Sequence, residues 1–150
     1  MDLYAKRQII DANYTMAIQN IPESLIPVKK MLYIDGKINN NPVKIFIDTG
    51  AQMSVMSLET AKLLKLDYLI DYHQEGFIVG VGHSTKVGKI HYLEIELDKG
   101  IKLPCSFTIL KSEECKLILG LDVMLSQGCI LDLKSKEMKF GGLTFRFDGY

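Results

Sequence analysis

The chain has 150 residues, 47% of them hydrophobic, with 18 basic side chains balanced by 18 acidic ones. That length supports one real core rather than two full domains. The even charge, with no Lys/Arg cluster beyond the Lys29-Lys30 pair, leaves no footprint for nucleic acid or an anionic membrane.

No apolar stretch approaches a membrane span, and the first residues lead into a polar segment rather than a signal-peptide core, so an intracellular protein, cytoplasmic or nuclear, is expected. Cys105, Cys115 and Cys129 are odd in number and lack the close paired spacing of a zinc site. Free thiols, with no metal and no other cofactor, are therefore expected.

Residues 4 to 19 place Ile9, Ala12, Met16 and Ala17 among polar positions, which predicts an amphipathic helix ending before Ile21-Pro22. Pro22 and Pro27 bracket a short connector, after which β-branched residues and glycine-rich turns take over. The reading is thus a helix and connector over residues 1–27 and a main domain over 28–150. Within that domain Met31-Leu32-Tyr33-Ile34 and Val43-Lys44-Ile45-Phe46-Ile47 predict two antiparallel strands, with the turn between them set by Gly36 and Asn39-Asn40-Asn41. Ser57 is placed to cap a helix through Leu64 that buries Leu58, Ala61 and Leu64.

A long hairpin is predicted from Phe77 to Leu97, with a bulge because Ile90, Tyr92, Ile95 and Leu97 do not keep one face. A strand follows at residues 103–110, then the apolar run Leu117-Ile118-Leu119-Gly120-Leu121-Asp122 closed by glycine, a helix-like Val123-Met124-Leu125 and a strand candidate at residues 129–133. Leu143-Thr144-Phe145-Arg146-Phe147 alternates at the end of the chain and predicts an apolar edge strand suited to pairing with a second copy, through Leu143, Phe145 and Phe147. The class expected is an all-β closed barrel of short strands with one or two helices, since strand–helix alternation of the parallel-sheet type is absent.

The most informative feature is Asp48-Thr49-Gly50-Ala51 directly after an apolar strand. A carboxylate at a strand end is often only a turn former, but apolar neighbours and a tight glycine turn also suit general acid/base work. One such carboxylate is half a machine, because attack of water on an amide needs one group to take a proton and another to supply one. Two copies related by a two-fold axis would bring two Asp48 carboxylates together, and like-charge repulsion would leave the pair holding one shared proton. Thr49 could then tie the facing loops together.

Several blocks in order carry a family resemblance: Ala17-Ile18, Pro22-Glu23-Ser24, Met31-Leu32-Tyr33-Ile34, Pro42-Val43-Lys44, Asp48-Thr49-Gly50-Ala51-Gln52-Met53-Ser54, Gly80-Val81-Gly82, Leu103-Pro104-Cys105-Ser106-Phe107 and Leu119-Gly120-Leu121-Asp122. Across nearly the whole chain the sequence resembles the retroviral-type (retropepsin-like) aspartic protease domain of the DNA-damage-inducible protein 1 (Ddi1) family. The resemblance implies a homodimeric aspartic endopeptidase in which each protomer contributes Asp48, supported by Thr49, Gly50 and Ala51. It implies that Ile118-Leu119-Gly120 crosses behind that loop and that residues 76 to 86 form a flap, with Gly80 and Gly82 as hinges and Val81 against an extended peptide or protein substrate.

Thr49 stands where this family usually has Ser, a change that keeps the hydroxyl. The ubiquitin-like and ubiquitin-binding domains of some family members have no counterpart in these residues, although the resemblance suggests ubiquitinated clients. His83 is expected to face solvent, and His73 and His91 carry no assigned role.

Two other classes of function compete. A catalytically silent dimer could use the same cleft only to bind peptides. A nucleotide module, prompted by Gly76, Gly80 and Gly82, lacks the Lys-Ser/Thr and the strand–glycines–helix setting of a phosphate loop.

Overall fold

The computed structural model describes residues 1–25, 31–74, 76–77, 85–112 and 117–150. It divides into two compact units, Met1–Met31 and Leu32–Tyr150.

The first unit is helix α1 (Leu3–Asn20) followed by a 3-10 turn at Pro22–Ser24. The Asp2 carboxylate accepts the Ala5 N–H at 2.8 Å and caps the helix start, where orphan N–H groups need an acceptor. At the other end the Ile21 N–H donates to the Ala17 carbonyl just before Pro22, which cannot continue the ladder. The amphipathic expectation is corrected: at 3.6 residues per turn Leu3, Ile10 and Tyr14 share one side while Ile9 and Met16 lie roughly 130° around the helix from them, so no single apolar stripe forms, and no residue of α1 is buried.

The second unit is built on a hairpin of β1 (Tyr33–Ile38) and β2 (Asn41–Ile47), in register from Tyr33 opposite Phe46 to Ile38 opposite Asn41. The turn is only Asn39-Asn40, with φ of 50° and 63°, the pair of left-handed residues that matches the twist of a two-residue hairpin. Gly36 therefore belongs to the strand and not to the turn. A Cβ there would lie 2.8 Å from Ile95 Cγ2 and 3.2 Å from the Glu96 carbonyl oxygen, so glycine lets β1 close against the strand beyond it.

Strands β3 (Val55–Ser57), β5 (Thr85–Glu96), β6 (Lys102–Lys111) and β7 (Leu117–Leu119) complete a ring in the order β1-β2-β7-β3-β6-β5, closed back to β1 where Lys37 faces Glu96. The closed barrel is thus six-stranded, and the short β4 (Gly76–Phe77) adds to the outer part of β5. Two pairings, β2–β7 and β3–β6, are parallel, which the reading of the sequence did not anticipate. The β5–β6 ladder shifts register between Lys86 and Gly88 and between Ile90 and Leu93, so the expected bulge is present twice. Alternation on β1 puts Ile34, Gly36 and Ile38 inward. With Ile45, Ile90, Ile95, Leu103, Phe107 and Leu119 the two isoleucines fill the barrel.

Helix α2 (Leu58–Leu63) starts at Ser57, whose Oγ accepts the Thr60 N–H at 3.1 Å, a cap worth about 1 kcal/mol. Ala61 and Leu64 are buried as expected and Leu58 is half-buried. Helix α3 (Leu121–Ser126) buries Val123 and Met124.

A second, three-stranded sheet runs in the order β10-β9-β8, from β8 (Ile130–Asp132), β9 (Glu137–Phe140) and β10 (Leu143–Arg146). Strand β9 was not anticipated. The expectation that Phe145 and Phe147 form an exposed apolar edge is also corrected, since they are 6% and 1% exposed and pack into the protomer's own core, with Leu143 half-buried against it. Alternation reports that one face is apolar, not what covers it. Strand β8, the opposite edge, carries the exposed apolar side chains: Ile130 is 58% exposed and the following Leu133 60%. Among the described residues no helix is long and apolar enough to cross a membrane.

Candidate active site

Asp48 stands one residue beyond β2, at the point where Ile47 and Leu119 pair side by side in the parallel β2–β7 ladder. Its N–H donates to the Leu119 carbonyl at 3.0 Å, which ties it to the crossing strand. Its carboxylate Oδ1 accepts the Gly50 N–H at 2.8 Å, and its carbonyl accepts the Ala51 N–H at 3.2 Å. The Asp-Thr-Gly-Ala segment is therefore a tight turn closed on the aspartate itself. Asp48 is half-buried, while Thr49 and Gly50 are exposed and Ala51 is half-buried.

Strand β7 lies between β2 and β3, so Ile118-Leu119-Gly120 backs the turn in the place expected for it. Gly120 is there because nothing larger fits: an added Cβ would meet the Ala51 and Met53 carbonyl oxygens at 2.7 Å each. The ladder continues outward, with the Leu121 N–H donating to the Ala51 carbonyl at 2.8 Å and the Asp122 N–H to the Gln52 carbonyl at 3.1 Å.

Asp122 echoes Asp48 in the sequence, each following an apolar run, yet it does not offer a second acid/base carboxylate within the protomer. Its Oδ1 accepts from the Ser54 N–H at 3.0 Å, the Ser54 hydroxyl at 2.7 Å and the Val123 N–H at 2.8 Å, and its Oδ2 accepts from the Ser54 N–H at 3.0 Å. A carboxylate so fully engaged serves structure. The Ser54–Asp122 contact went unassigned in the sequence, where no local signal links residues 68 positions apart.

The thiols are poor alternatives as nucleophiles. Burial, and then the negative charge of Asp122, push the Cys105 thiol well up, and burial raises Cys129. Cys105 and Cys129 are free, and Cys115 lies outside the described residues.

Among the described residues no group of three or more His, Cys, Asp or Glu is placed to hold a metal ion. A cavity of about 850 Å³ lies elsewhere, between β1, β2, the turn after β5 and β10, and no residue of the Asp48 turn lines it.

Of the segment expected to form a flap, the described residues include the base, where Gly76 pairs with Lys86 and Phe77 with Thr85. Gly80, Val81, Gly82 and His83 lie outside the described residues. Below that base His91 Nε2 stands 2.8 Å from Asp71 Oδ2, and the His73 N–H donates to Asp71 Oδ1 at 3.0 Å. These bonds hold the Asp71 carboxyl below the usual range, the His91 contact contributing most. Asp71 also bridges Lys89 on β5 through paired backbone hydrogen bonds of 2.8 and 3.1 Å.

The profile of the family described as "Aspartyl protease" matches residues 22–132. Protein DDI1 homolog 2 of Homo sapiens is 38% identical over 136 residues, covering 91% of this chain and 34% of that protein. Protein DDI1 homolog 1 of Caenorhabditis elegans is 39% identical over 147 residues, covering 96% and 37% respectively. The chain thus spans about a third of the length of these curated relatives. The crystal structure of the retroviral protease-like domain of Ddi1 from Leishmania major superposes with a TM-score of 0.72 at 32% identity, over 80% of this chain and 95% of that one. The turn at Asp48 backed by a glycine-bearing crossing strand, the six-stranded closed barrel and these matches lead to one conclusion: the chain belongs to the aspartyl protease family, as a retropepsin-like domain closely related to the Ddi1 homologs.

Proposed function

We propose that this domain is an aspartic endopeptidase that works as a homodimer, each protomer supplying Asp48 to a shared pair that activates water against the peptide carbonyl. The observation that carries this reading is the state of the two strand-end aspartates. Both are half-buried, but among the described residues the Asp48 carboxylate accepts from the Gly50 N–H alone, whereas the Asp122 carboxylate is consumed by hydrogen bonds from Ser54 and Val123. The second carboxylate must then come from another copy.

The exposed Thr49 and Gly50 sit where two facing turns would meet. Strand β8 suits the role of docking edge better than β10, because Ile130, Leu133 and the 76%-exposed Leu125 of α3 present apolar surface to solvent. Family membership supports residues 76 to 86, which include Gly80, Val81 and Gly82, as a flap that closes over an extended, mostly apolar peptide segment. Proteins carrying ubiquitin are the candidate clients, on the strength of family membership alone, and the setting is cytoplasmic or nuclear.

The test is a cleavage screen on a diverse peptide library across acidic to neutral pH, comparing the native chain with Asp48→Asn. The amide keeps the shape and loses the base, so hydrolysis should vanish while the fold persists. Peptide binding by both proteins with cleavage by neither would replace proteolysis with a silent peptide-binding dimer.

A further inference from the structure

We infer that Ser54 and Asp122 form a positioning pair for the catalytic turn, setting where Asp48 stands rather than merely holding the fold together; this rests on the proteolytic reading above. The segment from Asp48 to Ser54 joins β2 to β3 and is anchored at both ends. At its start the Asp48 N–H is bound to Leu119.

At its end every polar group of Ser54, which is fully buried, is engaged with another part of the barrel. The N–H and hydroxyl donate to Asp122, the same hydroxyl oxygen accepts the Gly120 N–H at 2.9 Å, and the carbonyl accepts the Thr108 N–H at 2.9 Å. One hydroxyl thus joins the catalytic segment to Gly120, at the end of the crossing strand, and to Asp122, in the first turn of α3, and the second of these partners is a carboxylate. Hydrogen bonds to an ionised acceptor are shorter and stronger than neutral ones, and they are directional.

Between the anchors the Ala51–Leu121 and Gln52–Asp122 backbone bonds tie the segment to the start of α3, directly after the crossing strand. The Gly50 N–H that holds the Asp48 carboxylate lies one residue before Ala51. If the Ser54 anchor is released, the rungs next to it carry the displacement into the turn. Reaction geometry tolerates little of this, since a shift of about 1 Å can cost about 100-fold in rate.

The experiment compares Ser54→Ala, Asp122→Ala, Asp122→Asn and the Ser54→Ala/Asp122→Ala double variant with the native chain, at a temperature where all are folded. Both alanine variants should lower kcat by about 30- to 100-fold with KM little changed. The side-chain amide of the Asp122→Asn variant keeps an acceptor oxygen, so its rate should recover to within about 10-fold of native. The double variant should be no slower than the worse single one, because both changes break the same link. Ile38→Val, a core truncation at the far end of β1 with no bond to the segment, gives the control for loss of stability. It should lower Tm while leaving kcat unchanged.

A second readout does not depend on turnover: hydrogen exchange of the Gly50 and Ala51 amides, followed by NMR. It should quicken in the alanine variants while amides of β5 and β6 keep their protection. Unchanged kcat together with unchanged Gly50 and Ala51 exchange, or exchange that quickens only in step with the whole barrel, overturns the positioning role. A native chain that cuts no peptide defeats the proteolytic reading, and the exchange measurement then decides the positioning by itself.

Discussion

Replacing Gly120 by Ala tests how closely the crossing strand backs the Asp48 turn. Gly120 has φ −101° and ψ −174°, a conformation any residue adopts, so the cost of a side chain is steric and not conformational. The new Cβ would meet the Ala51 and Met53 carbonyl oxygens at 2.7 Å and the Met53 carbonyl carbon at 2.8 Å, all backbone atoms that cannot rotate away.

Overpacking of this kind costs about 1–3 kcal/mol. Pushing the strands apart also weakens the Gly120–Ser54 hydrogen bond of 2.9 Å, worth about 1 kcal/mol. The sum is about 2–4 kcal/mol, or a fall in Tm of roughly 10 °C.

Denaturant unfolding of Gly120→Ala beside Gly128→Ala is the assay. Gly128 has φ 63° and open space around it, so its replacement should cost only about 1 kcal/mol of backbone strain. If Gly120→Ala proved no more destabilising than Gly128→Ala, the close backing of the turn by β7 would be refuted.

Other consequences follow from the same geometry. Asn40→Gly should raise stability by a few tenths to about 1 kcal/mol in chemical denaturation, because glycine adopts the left-handed turn position without a Cβ penalty. Asp71 has a depressed carboxyl, so its contribution to stability is present above the ordinary carboxylate value of 3.8 and is lost as pH falls through the lowered one. The Tm gap between the native chain and Asp71→Asn should therefore be open near neutral pH and close in strong acid; a gap independent of pH would remove the His91–Asp71 link from the account. Ile130→Lys with Leu133→Asp should shift the protein to monomer in sedimentation and abolish cleavage with little change in circular dichroism, whereas a dimer that persisted would move the interface off β8.

Much of the site was legible from local pattern. An apolar run ending in Asp-Thr-Gly-Ala marks a strand that delivers a carboxylate into a tight turn, and Ser57 three residues before Thr60 marks a helix start; both signals lie within one window of sequence. What escaped depends on contacts distant along the chain. Gly36 reads as a turn residue until β5 is seen pressing on it, and the Ser54–Asp122 link joins segments that no periodicity connects. The alternation of residues 143 to 147 correctly marked a strand with an apolar face, but the face turned inward because β9, a short strand with charged residues among its apolar ones, pairs β10 into the protomer. Exposed apolar surface fell instead to β8, whose sequence Ile130-Leu131-Asp132 is too short to reveal a face.

The central claim is that catalysis needs one Asp48 from each of two protomers, and subunit mixing tests it most directly. A fixed amount of native chain is equilibrated with increasing Asp48→Asn chain, and initial cleavage rate is followed. With free exchange, a roughly ninefold excess of the variant should leave about a tenth of the native chains paired with one another and cut the rate to about a tenth. A rate unmoved by the variant, with mixed dimers demonstrably formed, would mean that a single Asp48 suffices and would contradict the account.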